Sequence, residues 1–230
     1  MRLFKQTPED YYNAPYAEFP ALIRGTVFVV MAILWAFSKL MWRWKVEDAD
    51  LLFERQEGRG SVVICNHTSM AELLAVETAL FFGGRRIRPI FKSEFAKSKI
   101  VRWAFSRVGG IPVERGTADM KCLRAAQHAL QRGEDVLIFP EGTRNKARKE
   151  PLLPLQEGVA MISLRAKAPI VPMWVDGGYA PWSRCVIGAG KPMDLGEYEG
   201  LRRVDAAAMK RLTAQMREDM LAVRADILHR

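Results

Sequence analysis

Apolar and polar positions along the 230-residue chain fall into three textures. The longest apolar stretch, ALIRGTVFVVMAILWAFSKLMWRW, runs from Ala21 to Trp44. Its uninterrupted core, Val27 to Phe37, would extend only ~16 Å as a helix at about 1.5 Å per residue. The wider stretch reaches the roughly 20 residues that cross a bilayer, although Arg24, Lys39 and Arg43 interrupt it. The pattern therefore predicts a helix embedded in or lying on a membrane, with a buried core helix as the competing reading. Basic residues at both ends leave its orientation unset, and Trp35, Trp42 and Trp44 are side chains that settle at the headgroup level. The late start and the lack of a small-residue cleavage site argue against a cleaved signal peptide.

After Asp48 the texture changes to short β-like runs separated by helical patterns. Strands are predicted at 61–65, 87–91, 110–113, 135–139, 169–175 and 185–189, and helices near 70–82, 97–107, 117–132 and 156–166. This alternation predicts an α/β fold, with a mostly parallel central sheet flanked by helices. Pro172 inside a predicted strand points to an edge position or a bulge. Met209, Leu212, Met216, Met220, Val223 and Ile227 recur at intervals of three and four, the pattern of an amphipathic C-terminal helix. The first twenty residues, rich in tyrosine and proline, read as an irregular arm. The chain thus divides into an arm and membrane-associated segment over 1–47 and an α/β domain over 48–230, whose motif-bearing core lies at about 60–178.

Charge narrows the class of partner. Lys and Arg number 35 against 26 Asp and Glu, a net +9, which favours phosphorylated small molecules, an anionic membrane surface or nucleic acid. The basic runs RRIR (85–88) and RNKARK (144–149) lack interleaved aromatics or a helix-turn-helix pattern, so they read as surface for anionic lipid headgroups and not for nucleic acid. Cys65, Cys122 and Cys185 show no zinc spacing, and their odd number does not fit a disulfide framework.

Candidate chemistry gathers at the ends of predicted strands, where open α/β sheets collect ligands. One ends in Asn66 and His67, another in Glu114 and Arg115, a third in Pro140-Glu141-Gly142-Thr143-Arg144. On one continuous helix, positions five apart point ~140° away from each other at about 100° per residue. His67 and Glu72 can therefore meet only if His67 precedes the helix and Glu72 sits in its first turn. Ser69 can supply the N-cap for that arrangement, yet Ser69-x-x-Glu72 is also a capping box, which gives the carboxylate a purely structural use. The turn at 139–145 offers an exposed Arg144 with a carboxylate, Glu141, able to fix it, and a guanidinium suits phosphate through its two parallel donors.

Taken in order, His67-x-x-x-x-Glu72, Gly110-Ile111-Pro112-Val113-Glu114-Arg115, Phe139-Pro140-Glu141-Gly142-Thr143-Arg144 and Ile170-Val171-Pro172-Met173 resemble the four sequence blocks of the glycerolipid acyltransferases. The first block of that family usually closes on aspartate, and this chain has Glu72. The resemblance implies His67 as general base with Glu72 as its partner, and Arg115, Glu141, Gly142, Thr143 and Arg144 as contacts to the phosphorylated acceptor. It implies no metal or cofactor, with acyl-CoA or acyl-carrier protein as co-substrate. The expected reaction is acyl transfer to lysophosphatidic acid, giving phosphatidic acid; another lysophospholipid or glycerol-3-phosphate as acceptor, or a non-catalytic lipid binder, are the alternatives. Membrane phospholipids are the expected surroundings, with the active site facing the cytoplasm.

Overall fold

The structure is a computed structural model that describes residues 7–53, 58–114, 119–177, 180–198, 200–201 and 203–229. Its strands are β1 (Lys45–Val46), β2 (Val62–Cys65), β3 (Ile87–Lys92), β4 (Ile111–Val113), β5 (Asp135–Ile138), β6 (Ile170–Gly177) and β7 (Cys185–Ala189). They form one sheet in the order β1-β7-β6-β2-β5-β3-β4. Every neighbouring pair is parallel except β6 with β7. β2 stands near the middle, with Ile64 opposite Ile138 of β5 and Pro172 of β6.

Burial on both faces explains why these strands read as continuous apolar runs. Val62 and Ile64 look into a cluster built by α6 (Met120–Gln131), α7 (Gly158–Ala166) and α8 (Ala206–His229). Val63 and Cys65 look the other way, into a cluster with Trp44 and with Ala75, Val76, Ala79 and Leu80 of α4 (Met70–Phe82). The predicted α8 stripe is real: Leu212, Met216 and Met220 are fully buried.

Pro172 departs from expectation, since β6 is an interior strand and its register with β2 runs unbroken through the proline. The Pro172 carbonyl accepts from Gly190 N–H, one residue past the end of β7. A strand residue points its N–H and C=O to the same side, so the donor that proline lacks falls where the β7 ladder has already ended.

The N-terminal arm is more ordered than its sequence implies. It contains a short helix, α1 (Pro8–Asn13), and buries Tyr11, Tyr12 and Phe19. Arg88 donates to the carbonyls of Tyr12 and Ala14, and Tyr16 N–H donates to Glu134 Oε1 at 2.9 Å. The run RRIR is correspondingly no open basic patch. Arg85 forms a two-pronged pair with Asp135 at 2.8 Å on each arm, and Arg88 pairs with Glu134 at 3.0 Å. Both guanidiniums are buried because the adjacent carboxylates that open β5 take them in.

The apolar segment forms α2 (Ala21–Trp42), long and apolar enough to cross a membrane by length and composition. It packs against α4, with the Phe28 ring 6.2 Å from Phe81 and 5.8 Å from Phe82. Its other face leaves Leu22, Val29, Ile33 and Leu40 exposed. Trp44 is not at the surface as its sequence context predicts. It fills the sheet face, donates to Ser38 Oγ at 2.9 Å and lies beneath the Lys39 ammonium.

Candidate functional site

Helix α4 begins at Met70, so His67 stands on the loop before it and Glu72 at its third position. That placement brings His67 Nδ1 to 3.3 Å from Glu72 Oε2. Glu72 performs both of the tasks its sequence context offers. It reaches back to accept Ser69 N–H at 3.0 Å as the capping-box partner, and it accepts Thr68 N–H at 2.6 Å and the Thr68 hydroxyl. Its side chain is fully buried, and these donors compensate for the loss of water. The helix N-terminus adds a favourable partial positive charge. With Nδ1 held against the carboxylate, Nε2 is the ring nitrogen left for a substrate. The imidazole stacks on Phe139, with centroids 4.2 Å apart and planes at 26°.

The loop after β5 holds His67 by its main chain. His67 N–H donates to Glu141 Oε1 at 2.7 Å, and His67 C=O accepts from Asn145 N–H at 2.7 Å. Glu141 Oε2 accepts Leu153 N–H at 2.9 Å. Burial raises the Glu141 carboxyl above the usual carboxylate range, against the lowering by its two backbone donors. Glu141 therefore points inward as a brace and forms no ion pair with Arg144, the role its sequence position had offered. Gly142 closes the turn by donating to Phe139 C=O at φ +66°, a conformation that glycine adopts without steric cost. A side chain there would also press on Gln156.

These elements border an apolar cleft of about 870 Å³ with His67, Glu141, Gly142 and Thr143 in its wall. Arg144 is exposed beside Thr143 but does not line it. Glu114 lines the far side, where its N–H donates to Asp119 Oδ2 at 2.8 Å, and Asp119 caps α6. Arg115 lies outside the described residues. Cys65, next to the site in sequence, is fully buried. Burial, then the charges of Glu72 and Glu141, push its thiol well above the usual range, which disqualifies it as a nucleophile.

Four positioning residues were not identified as such from sequence. Asn66 is buried and clasps Val175 of β6 on both backbone groups, at 3.0 and 2.8 Å, continuing the ladder with its side chain. Asn145 folds its own loop by accepting Arg148 N–H and donating to Glu150 C=O. Arg217 of α8 donates to the carbonyls of Leu152 and Leu153. Phe139 supplies the stacking face. Only Asn66 carries a signal, as a short amide at a strand end beside His67.

Comparison with known proteins bears on this arrangement. A family profile described as Acyltransferase matches residues 45–176. The chain is 31% identical over 179 residues to the bovine 1-acyl-sn-glycerol-3-phosphate acyltransferase alpha, covering 72% of this chain and 58% of that protein. It is 26% identical over 149 residues to a chloroplastic 1-acyl-sn-glycerol-3-phosphate acyltransferase of Brassica napus, covering 64% of this chain and 42% of the relative. The chain thus spans about half the length of these curated relatives. The crystal structure of the 1-acyl-sn-glycerophosphate (LPA) acyltransferase PlsC from Thermotoga maritima shares the fold, with a TM-score of 0.60 and 22% identity. That match covers 85% of this chain and 79% of the other.

Proposed function

The chain belongs to the acyltransferase family, and on that footing we propose that it moves a fatty acyl group from acyl-CoA or acyl-carrier protein to the free hydroxyl of 1-acyl-sn-glycerol-3-phosphate, giving phosphatidic acid. The observation that carries this reading is the His67–Glu72 pair at 3.3 Å, set at the edge of a large apolar cleft. As the acceptor oxygen bonds to the thioester carbonyl carbon, His67 Nε2 takes the hydroxyl proton. The C–S bond then breaks, and the imidazolium returns that proton to the departing thiolate. Glu72 fixes the tautomer and stabilises the imidazolium between those steps, as a carboxylate does in hydrolase triads. No enzyme nucleophile is needed, because the substrate hydroxyl attacks directly. Arg115, Gly142, Thr143 and Arg144 are assigned to the acceptor's phosphate, with Glu141 setting the loop that carries three of them.

Thiol release from acyl-CoA in the presence of lysophosphatidic acid tests the reading. His67→Ala is expected to lower turnover by about 10³-fold or more while the melting temperature stays put. Equal release from both proteins would overturn it.

Residues 1–47 are assigned to membrane attachment, with the catalytic cleft on the cytoplasmic side. The attachment, though not the side, is supported by the exposed apolar face of α2 and by Ile100 and Trp103, exposed on α5 (Lys99–Arg107). Flotation with anionic phospholipid vesicles is expected to be lost in the double variant Ile33→Glu, Phe37→Glu. Undiminished flotation would remove α2 from the attachment surface.

A further inference from the structure

Met70, Leu73, Leu74, Glu77 and Phe81 of α4 fall at the i, i+3, i+4, i+7, i+11 spacing of a single helix face. Four of the five are apolar, and the stripe calls for an apolar side chain where Glu77 stands. Glu77 and the three residues that precede it in the stripe line a second cavity of about 330 Å³, bounded by α2 on one side and α5 on the other. Met70, Leu73, Pro89 and Phe105 line both this cavity and the cleft of His67, so the two spaces adjoin.

Glu77 is only 9% exposed, and its Oε1 has no hydrogen-bond partner. Burial pushes its carboxyl up to about 8, so near neutral pH it is a protonated acid able to donate as well as accept. Two other polar side chains on the wall are engaged. Thr26 donates its hydroxyl to Leu22 C=O at 2.9 Å. The Arg107 guanidinium donates to Ser106 Oγ and lies over the rings of Tyr11 and Trp103, although its Nε, like Glu77 Oε1, is buried without a partner. Leaving such a group unsatisfied costs on the order of 1–3 kcal/mol, a cost that a ligand with a matching polar group would relieve.

From this geometry we infer that the second cavity receives the chain of a hydroxylated fatty acyl group, whose mid-chain hydroxyl hydrogen-bonds to Glu77. The inference rests on the acyl-transfer reading for the source of the chain. A hydroxyl can both donate to Glu77 and accept from it, and the Arg107 guanidinium on the same wall is already engaged with Ser106 Oγ and with two rings. Glu77 lies seven residues beyond Met70, ~10 Å along the axis at 1.5 Å per residue, which places the contact well down the chain and away from the reacting carbonyl.

The test measures equilibrium binding of stearate, and of hydroxystearate with its hydroxyl at mid-chain, to the detergent-solubilised full chain. Hydroxystearate is expected to bind about tenfold more tightly, the factor that one net hydrogen bond near the upper end of the usual range provides. Glu77→Leu should bring the two ligands to parity, and Glu77→Gln, which still donates and accepts, should keep most of the difference. Parity in the unaltered protein, or a preference that survives Glu77→Leu, would overturn the inference. A parallel turnover assay with the two acyl-CoA donors separates the failures. Absence of turnover with both would sink acyl transfer and leave the binding result standing, while turnover with binding parity would sink only the role of Glu77.

Discussion

Two glutamates of one helix, five residues apart, are both buried and have opposite surroundings. Glu72 accepts hydrogen bonds from two backbone N–H groups and a hydroxyl, and it faces an imidazole. Glu77 stands between the largely apolar second cavity and a small one that it shares with Arg86 and Arg88, and its Oε1 has no partner. Burial by itself therefore does not decide what partners a carboxyl meets. The two N–H donors to Glu72 belong to Thr68 and Ser69, on the turn that leads into α4, whereas around Glu77 the backbone N–H groups are taken up within the helix. One helix thus sets a hydrogen-bonded carboxyl beside a base and, about one and a half turns later, a carboxyl oxygen without a partner beside a cavity.

Glu72→Gln is the sharpest way to break this contrast. It removes the charge opposite His67 while keeping size and one acceptor. Turnover should fall by about 10²–10³-fold with little change in KM, as expected for a group that acts through the base. The cap also weakens, so chemical denaturation should show a loss on the order of 2 kcal/mol. Unchanged turnover would reduce Glu72 to its capping role.

Glu77 predicts a pH effect of the opposite kind. Its carboxyl is raised from 4.5 to about 8 in the folded chain. Below both values folded and unfolded chains hold the proton alike, and the full stability is present. As pH rises past about 4.5 the unfolded chain ionises first, so Glu77 lowers stability progressively up to about pH 8. Glu77→Gln should flatten that slope, making the variant more stable at pH 7 by an amount on the order of 3 kcal/mol and equal to the parent near pH 4. Parallel denaturation curves at the two pH values would show that Glu77 is ionised after all.

The smallest effect is expected at Glu141, which touches His67 only through the backbone. Glu141→Gln can accept one of the two N–H groups well and presents its amide nitrogen to the other. A fall in kcat of about tenfold is expected, from a base displaced by a fraction of an ångström. Restoration of the parent rate by Glu141→Asp would argue that charge, and not reach, is what the brace requires.

Legibility in the sequence followed the range of the interactions. The interior strands were readable because burial on both faces leaves an unmistakable apolar run, and the His67–Glu72 encounter was readable because Ser69 marks where the helix starts. Two-residue β1 carries no such signature and was not predicted. Pro172 was misread because a missing N–H matters only relative to where the neighbouring strand ends. Arg85 and Arg88 were read as surface because their partners lie 50 and 46 residues away, respectively. The clamp on His67 was invisible for the same reason, since nothing in Asn145 announces which carbonyl its N–H will meet.

That clamp has a consequence for the order in which the protein comes into being. A ribosome delivers β2 and β3 well before β5, yet these two strands are not neighbours: β5 fills the place between them. Until residues near 145 have emerged, the sheet has no centre and the peptide of His67 has nothing on either side of it. A nascent or truncated chain that stops short of that loop can carry the histidine and its glutamate and still lack the main-chain hold on His67 that the proposed acyl transfer requires.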